Sequence, residues 1–299
     1  MLVVSAAAAC SGILGLTDPT VVDDAGVVPT AEAGPDGSTP PAPPTSTDAN
    51  AEADGPRVPS CDRPRGPTMI RITDDAGGID FCIDSTEVTG TQYVAFLDAV
   101  TQPDVIALAA ALPAVCRDVF TPPFDLDSAL QRSNVASDGT LAVARVGWCQ
   151  AQVYCAWAGK RLCGTLDGGA GYDFAAGTVQ PIDTEWYFAC THGGARAYPY
   201  AASVDPAACD DGPDAAIEAP GAKPACVGGY AGLYDMVGNV SEWELGFKFD
   251  GSYPPYVHAR GPWFASATTD DCSVMGGDPD RVPYTNGDPR VGIRCCASP

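Results

Sequence analysis

Beyond Cys61 the chain changes its hydrophobic period several times and shows no fixed repeat. Residues 69–73, MIRIT, alternate with period two as a half-buried strand does. Residues 79–83 follow the Gly77-Gly78 turn as its partner. The period then becomes helical. Thr89 and Gln92 stand at capping-box spacing, and Tyr93, Phe96, Leu97 and Val100 form one apolar face. A short helix is predicted around residues 106–112, then a loop, then a strand near residues 141–146. The next helix puts Trp148, Ala151, Cys155 and Ala158 on one face and stops at Gly159, where a left-handed residue is wanted. A further helix starts at Asp183 or Thr184, carries Trp186, Ala189 and Cys190, and ends before Gly193-Gly194. Only turns and short strands follow. A handful of helices around irregular sheet reads as α+β.

Composition alters this picture mainly at the N-terminus. Residues 17–60 are dominated by Pro, Ala, Thr, Asp and Gly and contain almost nothing that could build a core. Such a segment cannot offset its ordering entropy by burial and acts as an extended tether. Residues 1–10 are a short apolar run ending in small residues before Cys10, although no Lys or Arg precedes it. The run resembles the end of a bacterial lipoprotein signal, with cleavage before Cys10 and lipid attached to that residue. The expected organisation is therefore a signal over 1–10, a linker over 11–60 and a folded domain over 61–299. The net charge of −22 leaves no basic stripe for nucleic acid and no electrostatic hold on anionic lipids, so a lipid anchor is the only membrane contact expected.

Thirteen cysteines point to an oxidising compartment. With Cys10 set aside, twelve remain for disulfides. Cys61 and Cys82 bracket the first strand pair, and Cys149 and Cys163 bracket the helix that begins at Trp148. Connectivity among Cys116, Cys190, Cys209, Cys226, Cys272 and Cys296 stays open. CxxC pairs are absent, which favours staples over zinc. His192 and His258 are far apart and read as surface or capping residues.

Residues 228–243, GGYAGLYDMVGNVSEW, gather Asp235, Asn239 and Glu242 around Gly238 in one turn-prone stretch. Three oxygen-bearing side chains, with backbone carbonyls freed by a glycine turn, suit a hard cation such as calcium. Tyr230, Leu233, Tyr234, Met236 and Trp243 are expected to anchor the turn to a core.

An ordered set of segments resembles the formylglycine-generating, or sulfatase-modifying-factor, family. It comprises Glu87-Val88-Thr89 with Gln92-Tyr93 and Phe96-Leu97, then Tyr154-Cys155 with the run from Trp157 to Leu162. Next come Thr184 to Ala189, Gly193-Gly194, Tyr198-Pro199-Tyr200, Asp235 to Trp243, and Gly292-Ile293-Arg294. The resemblance implies an irregular, loop-rich C-type-lectin-like fold. It implies a structural calcium held by the side chains of Asp235 and Glu242 and the carbonyls of Gly238 and Val240, and a disulfide between Cys155 and Cys295. It does not extend to catalysis. Relatives that oxidise cysteine hold Cu(I) through two thiolates, in a loop that here reads DPDRVPYTNGDPRV and has no cysteine. No catalytic residue and no copper are therefore expected. The implied function is an envelope-tethered, non-catalytic binding or scaffolding module for a protein or glycan ligand. The alternative is a divergent oxidoreductase acting on cysteine in exported proteins.

Overall fold

The computed structural model describes residues 60–74, 77–135, 138–169, 181–209, 215–248, 256–266, 270–276 and 287–299. The expected signal, Cys10 and the linker up to residue 59 lie outside them. Strand β1 (Met69–Thr73) runs antiparallel to β2 (Asp80–Asp84), Met69 opposite Asp84 and Thr73 opposite Asp80. Helix α1 (Gly90–Ala99) carries the expected capping box. Gln92 N–H donates to the Thr89 hydroxyl at 3.2 Å, and Thr89 N–H donates to Gln92 Oε1 at 2.9 Å. Tyr93, Phe96 and Leu97 are buried as expected.

Helix α2 (Gln102–Ala109) begins a turn earlier than the apolar pattern suggests. A second capping box, Thr101 with Asp104, fixes its start, and a proline occupies its first turn. Short helices α3 (Ala114–Val119) and α4 (Leu126–Ala129) follow. The strand expected at residues 141–146 does not form. Its amides bond outward to separate segments: Ala142 N–H to Glu218 O, Val143 N–H to Val88 O and Arg145 N–H to Asp288 O. Arg145, at φ 64°, breaks the extended run. A single bridge, Thr89 to Ala142, is what remains of a ladder.

Helix α5 (Trp148–Trp157) is the centre of the larger core. Every residue from Trp148 to Cys155 is buried, so the one-face reading was too narrow; this helix is packed on all sides. Tyr154 meets Tyr93 at 5.6 Å between ring centroids and Phe96 edge-on at 5.7 Å. Gly159 ends the helix at φ 72°, as a left-handed C-terminal residue does. After β3 (Arg161–Leu162), helix α6 (Glu185–Thr191) starts behind Thr184. It unwinds through His192, Gly193 and Gly194, all left-handed. One turn, α7 (Pro206–Cys209), precedes the last strands: β4 (Ser241–Lys248), β5 (Tyr256–Arg260), β6 (Met275–Gly276), β7 (Val291–Gly292) and β8 (Cys295–Ala297).

The strands form two four-stranded sheets, ordered β1-β2-β8-β3 and β6-β5-β4-β7, with β4 and β7 parallel. A bridge between Cys163 and Glu244 links the two. The C-terminal strand β8 thus closes the N-terminal hairpin. A second apolar cluster packs Phe81 and Ile83 of β2 against Trp186 and Ala189 of α6, together with Leu233 and Met236.

Six disulfides lock this frame: Cys61–Cys82, Cys116–Cys149, Cys155–Cys295, Cys163–Cys296, Cys190–Cys272 and Cys209–Cys226. Cys149 and Cys163 do not pair with each other. Cys149 lies inside α5 facing Cys116 of α3, Cα atoms 5.2 Å apart, whereas Cys163 lies past β3 beside Cys296 of β8. The vicinal residues Cys295 and Cys296 therefore tie β8 to two different segments. Each bridge is worth about 2–4 kcal/mol through restriction of the unfolded chain. The mixed, loop-rich α+β architecture agrees with the sequence.

Candidate functional site

The turn that contains Asp235 is built from left-handed residues. Asp235 (φ 55°), Gly238 (φ 80°) and Asn239 (φ 52°) curl the chain immediately before β4. Two non-glycine residues in that region of φ/ψ within five positions is unusual, and such strain concentrates at functional sites. The turn is anchored by buried Leu233, Met236 and Trp243, while Tyr230 and Tyr234 are only partly buried. Trp243 donates its indole N–H to Val146 O at 2.8 Å.

The four residues expected to hold calcium sit on one stretch, but their side chains have different neighbours. Asp235 is 5% exposed and accepts the Gly221 amide on Oδ2 at 2.5 Å. Glu242, the second residue of β4, has both oxygens engaged. Oε1 accepts Arg294 Nε at 2.8 Å, and Oε2 accepts the Trp186 indole N–H. Gly238 and Val240 lie between them on the curled backbone. Asn239 is held on both sides: its Oδ1 accepts Glu218 N–H at 2.9 Å, and its Nδ2 donates to Glu87 Oε1 at 3.1 Å.

Two residues that sequence reasoning quoted only as motif letters complete the cluster. Arg294, between β7 and β8, is wholly buried. Besides Glu242 it donates to Asp84 O and Tyr234 O, each at 2.8 Å. Burial works against its charge, but Glu242 and Glu87 hold its pKa above the ordinary guanidinium value. Glu87, between β2 and α1, is also fully buried, and its Oε2 has no hydrogen-bond partner. Burial pushes the Glu87 carboxyl well above the carboxylate range, and the neighbouring Asp235 charge adds to this. Asp235 is pushed up to about 6, again mainly by burial. No local pattern signals the meeting of these groups, because it is made by β8 returning beside β2.

Beside this cluster, Lys160 donates to Asp84 Oδ1 at 2.5 Å and to Pro67 O at 2.8 Å, with both charged side chains fully buried. That pair is balanced. The main cluster holds more acids: Glu87, Asp235 and Glu242 gather around Arg294, while Lys223 lines the cavity beside Asp235 and Asn239. Burying unpaired carboxylates is costly, and it is relieved by protonation, as the raised Glu87 and Asp235 carboxyls indicate, or by a further positive charge. The donors here are all oxygen, the type a hard divalent ion such as calcium would take, and Asp235 would be one of its ligands. Glu242 fits that role poorly, since both its oxygens are already engaged.

The cysteine chemistry is equally defined. Among the described residues every cysteine is in a disulfide, including Cys272, Cys295 and Cys296, which flank the loop where relatives place copper thiolates. Residues 277–286 of that loop lie outside the described residues. Cys163, Cys296 and Glu185 approach one another as metal ligands would. The two sulfurs are bonded to each other, however, and Glu185 is clamped by Arg161 and the Gly164 amide. His192 caps α6 and stacks on Tyr230 at 4.7 Å. His258, expected at a surface or cap, is buried in β5 instead.

The model of the sulfatase-modifying factor enzyme 1-like domain family matches residues 78–298. No curated protein matches. Among solved structures, CarF is 16% identical, with 74% of this chain and 87% of that chain covered and a TM-score of 0.46. PvdO from Pseudomonas aeruginosa is 17% identical, with 78% and 95% covered and a TM-score of 0.46. Treponema denticola variable protein 1 is 15% identical, with 78% and 93% covered and a TM-score of 0.44.

Proposed function

The chain belongs to the sulfatase-modifying-factor family, with its C-type-lectin-like fold, and from that premise we propose that it is a non-catalytic binding or scaffolding module of the cell envelope. One observation carries the reading. All twelve cysteines of the folded domain are consumed by six disulfides, which leaves that domain no thiol pair for Cu(I). Six disulfides also mark maturation in an oxidising compartment, and no described helix is long and apolar enough to cross a membrane. Tethering through lipid on Cys10 and the Pro- and Ala-rich segment over residues 11–60 fits both facts. The partner is a protein or glycan at the envelope, and a chain of net charge −22 is not a nucleic-acid binder.

Calcium is part of the reading as a structural ion held at the Asp235 turn. There it would fix the curled backbone of Gly238 and Val240 and balance the buried carboxylates. The copper question is tested by supplying Cu(I) and oxygen to the full chain with a cysteine-containing peptide. The expected result is no peptide aldehyde and no retained copper. Aldehyde formation with one copper per chain would establish the divergent oxidoreductase instead.

A further inference from the structure

We propose that the loop carrying Arg196 and Tyr200, together with the turn over residues 227–230, binds one acidic pyranose (a uronic acid) of a glycan. Arg196 takes the carboxylate, and Tyr200 and Tyr230 take the sugar ring. The inference rests on the binding-module reading above and names its site and ligand class.

Arg196, Tyr200, Gly228, Gly229 and Tyr230 line a cavity of about 260 Å³ that opens to solvent. Two glycines let its walls meet. A Cβ on Gly228 would lie 2.0 Å from Pro199 Cβ, and one on Gly229 would lie 1.8 Å from Ala189 O, so no larger residue fits at either position. Gly229 N–H donates to Pro199 O at 2.7 Å and joins the turn to the loop. Both half-buried tyrosines are backed by a second ring. Tyr230 stacks on His192 with centroids 4.7 Å apart, and Tyr200 stacks on Tyr198 at 5.7 Å. The His192 ring is fixed in turn by Gly229 O, and the Tyr200 hydroxyl accepts the Asp205 amide at 3.4 Å. The rings are thus held in place before a ligand arrives, so little ordering entropy opposes binding.

Arg196 supplies the charge. It is half-buried, and its Nη1 donates to Pro199 O at 3.3 Å. Among the described residues no carboxylate pairs with it, although the chain carries 38 acidic and 16 basic residues. A guanidinium without an internal counter-ion suits a carboxylate from outside, which it grips through two parallel N–H donors. The net charge of −22 opposes any anion at long range. The Debye length at physiological salt is only about 8 Å, however, so the guanidinium in contact decides. A pyranose offers an apolar C–H face to a tyrosine ring and a rim of hydroxyls to phenol and peptide groups. The cavity is smaller than the roughly 300–1,000 Å³ of pockets that enclose drug-sized ligands, which suits a single ring. An extended peptide pairs instead with a sheet edge or an apolar groove. This site is made of turns, and its one bridge, Val227 to Tyr234, is internal.

The test uses the full chain and its Arg196→Gln, Tyr230→Leu and Arg65→Gln variants. Calorimetry at physiological salt measures binding of oligogalacturonate, oligoglucuronate and oligomannuronate, and of the methyl ester of each. An acidic, tyrosine-rich peptide is the protein arm. The wild type is expected to bind at least one oligouronate saturably, about tenfold or more tighter than its uncharged ester. Arg196→Gln should bind acid and ester alike, at the affinity the wild type shows for the ester. Tyr230→Leu should lose about tenfold or more for both forms; Tm without ligand checks its fold, and Tyr200→Leu replaces it if it does not fold. Arg65→Gln, which lies outside this cavity, should bind as the wild type does. An ester bound as tightly as its acid, a preference for acid that survives in Arg196→Gln, or unchanged affinity in the tyrosine variant would overturn the proposal. So would an equal loss in Arg65→Gln, binding of the peptide alone, or no binding of any oligouronate at millimolar concentration. Those results leave the binding-module reading standing, because that reading fails separately, on peptide aldehyde in the copper assay.

Discussion

Lys160 and Asp84 show how much of this molecule depends on buried charge. Their side chains meet at 2.5 Å, fully buried, and Asp84 Oδ2 also accepts the Cys295 amide at 2.9 Å, so one carboxylate positions β8. Burial pushes the Asp84 carboxyl up to about 6 even with Lys160 beside it. Lys160→Met would strand that carboxylate at a cost of about 3–5 kcal/mol. The sign of its pH dependence follows from the raised pKa. An acid whose folded pKa exceeds its unfolded value of about 3.9 takes up protons on folding, so its contribution is greatest at low pH and is lost as pH rises through the folded value. Denaturant titrations should therefore show the Lys160→Met deficit largest near neutrality and smaller toward pH 5. A deficit independent of pH would mean that Asp84 is not the stranded group. At this scale the sequence was least legible. Asp235 and Glu242 stand out in a short acidic turn, but Glu87, Lys160 and Arg294 acquire their roles only through strands that meet across the whole chain.

Helices with local start and stop signals were readable, and segments bound by distant partners were not. Helix α1 carries its capping box and apolar face in contiguous residues, and both appear in the structure. Thr89→Ala removes the acceptor for Gln92 N–H and should cost about 1 kcal/mol, measurable as a shift in the denaturant midpoint with unchanged slope. A cost near zero would show that the bridge from Thr89 to Ala142, not the cap, fixes this end. Residues 141–146 are apolar enough for a strand, yet their amides are taken singly by residues 88, 218 and 288. Helix α5 misled in the other direction: an apolar stripe was visible, but its polar residues Gln150 and Gln152 are buried too. Gln150 bonds Ala129 O, and Gln152 bonds Cys116 Sγ.

At the scale of the whole molecule, disulfides do what extensive regular sheet does elsewhere. The strands are short, several of only two residues, and the long-range bridges Cys155–Cys295 and Cys163–Cys296 hold the C-terminal strand to the middle of the chain. The family frame was legible because its motifs recur in order. The full cysteine pairing was not, since spacing does not encode which segments fold together. That pairing is also what separates a stapled binding module from an oxidase, because a copper site needs two thiolates left free. The most direct test is alkylation of the unfolded but unreduced full chain, purified from an oxidising compartment, with the labelled cysteines located by mass spectrometry. The account predicts no label between Cys61 and Cys296. Two labelled cysteines in that span, protected by added Cu(I), would contradict it.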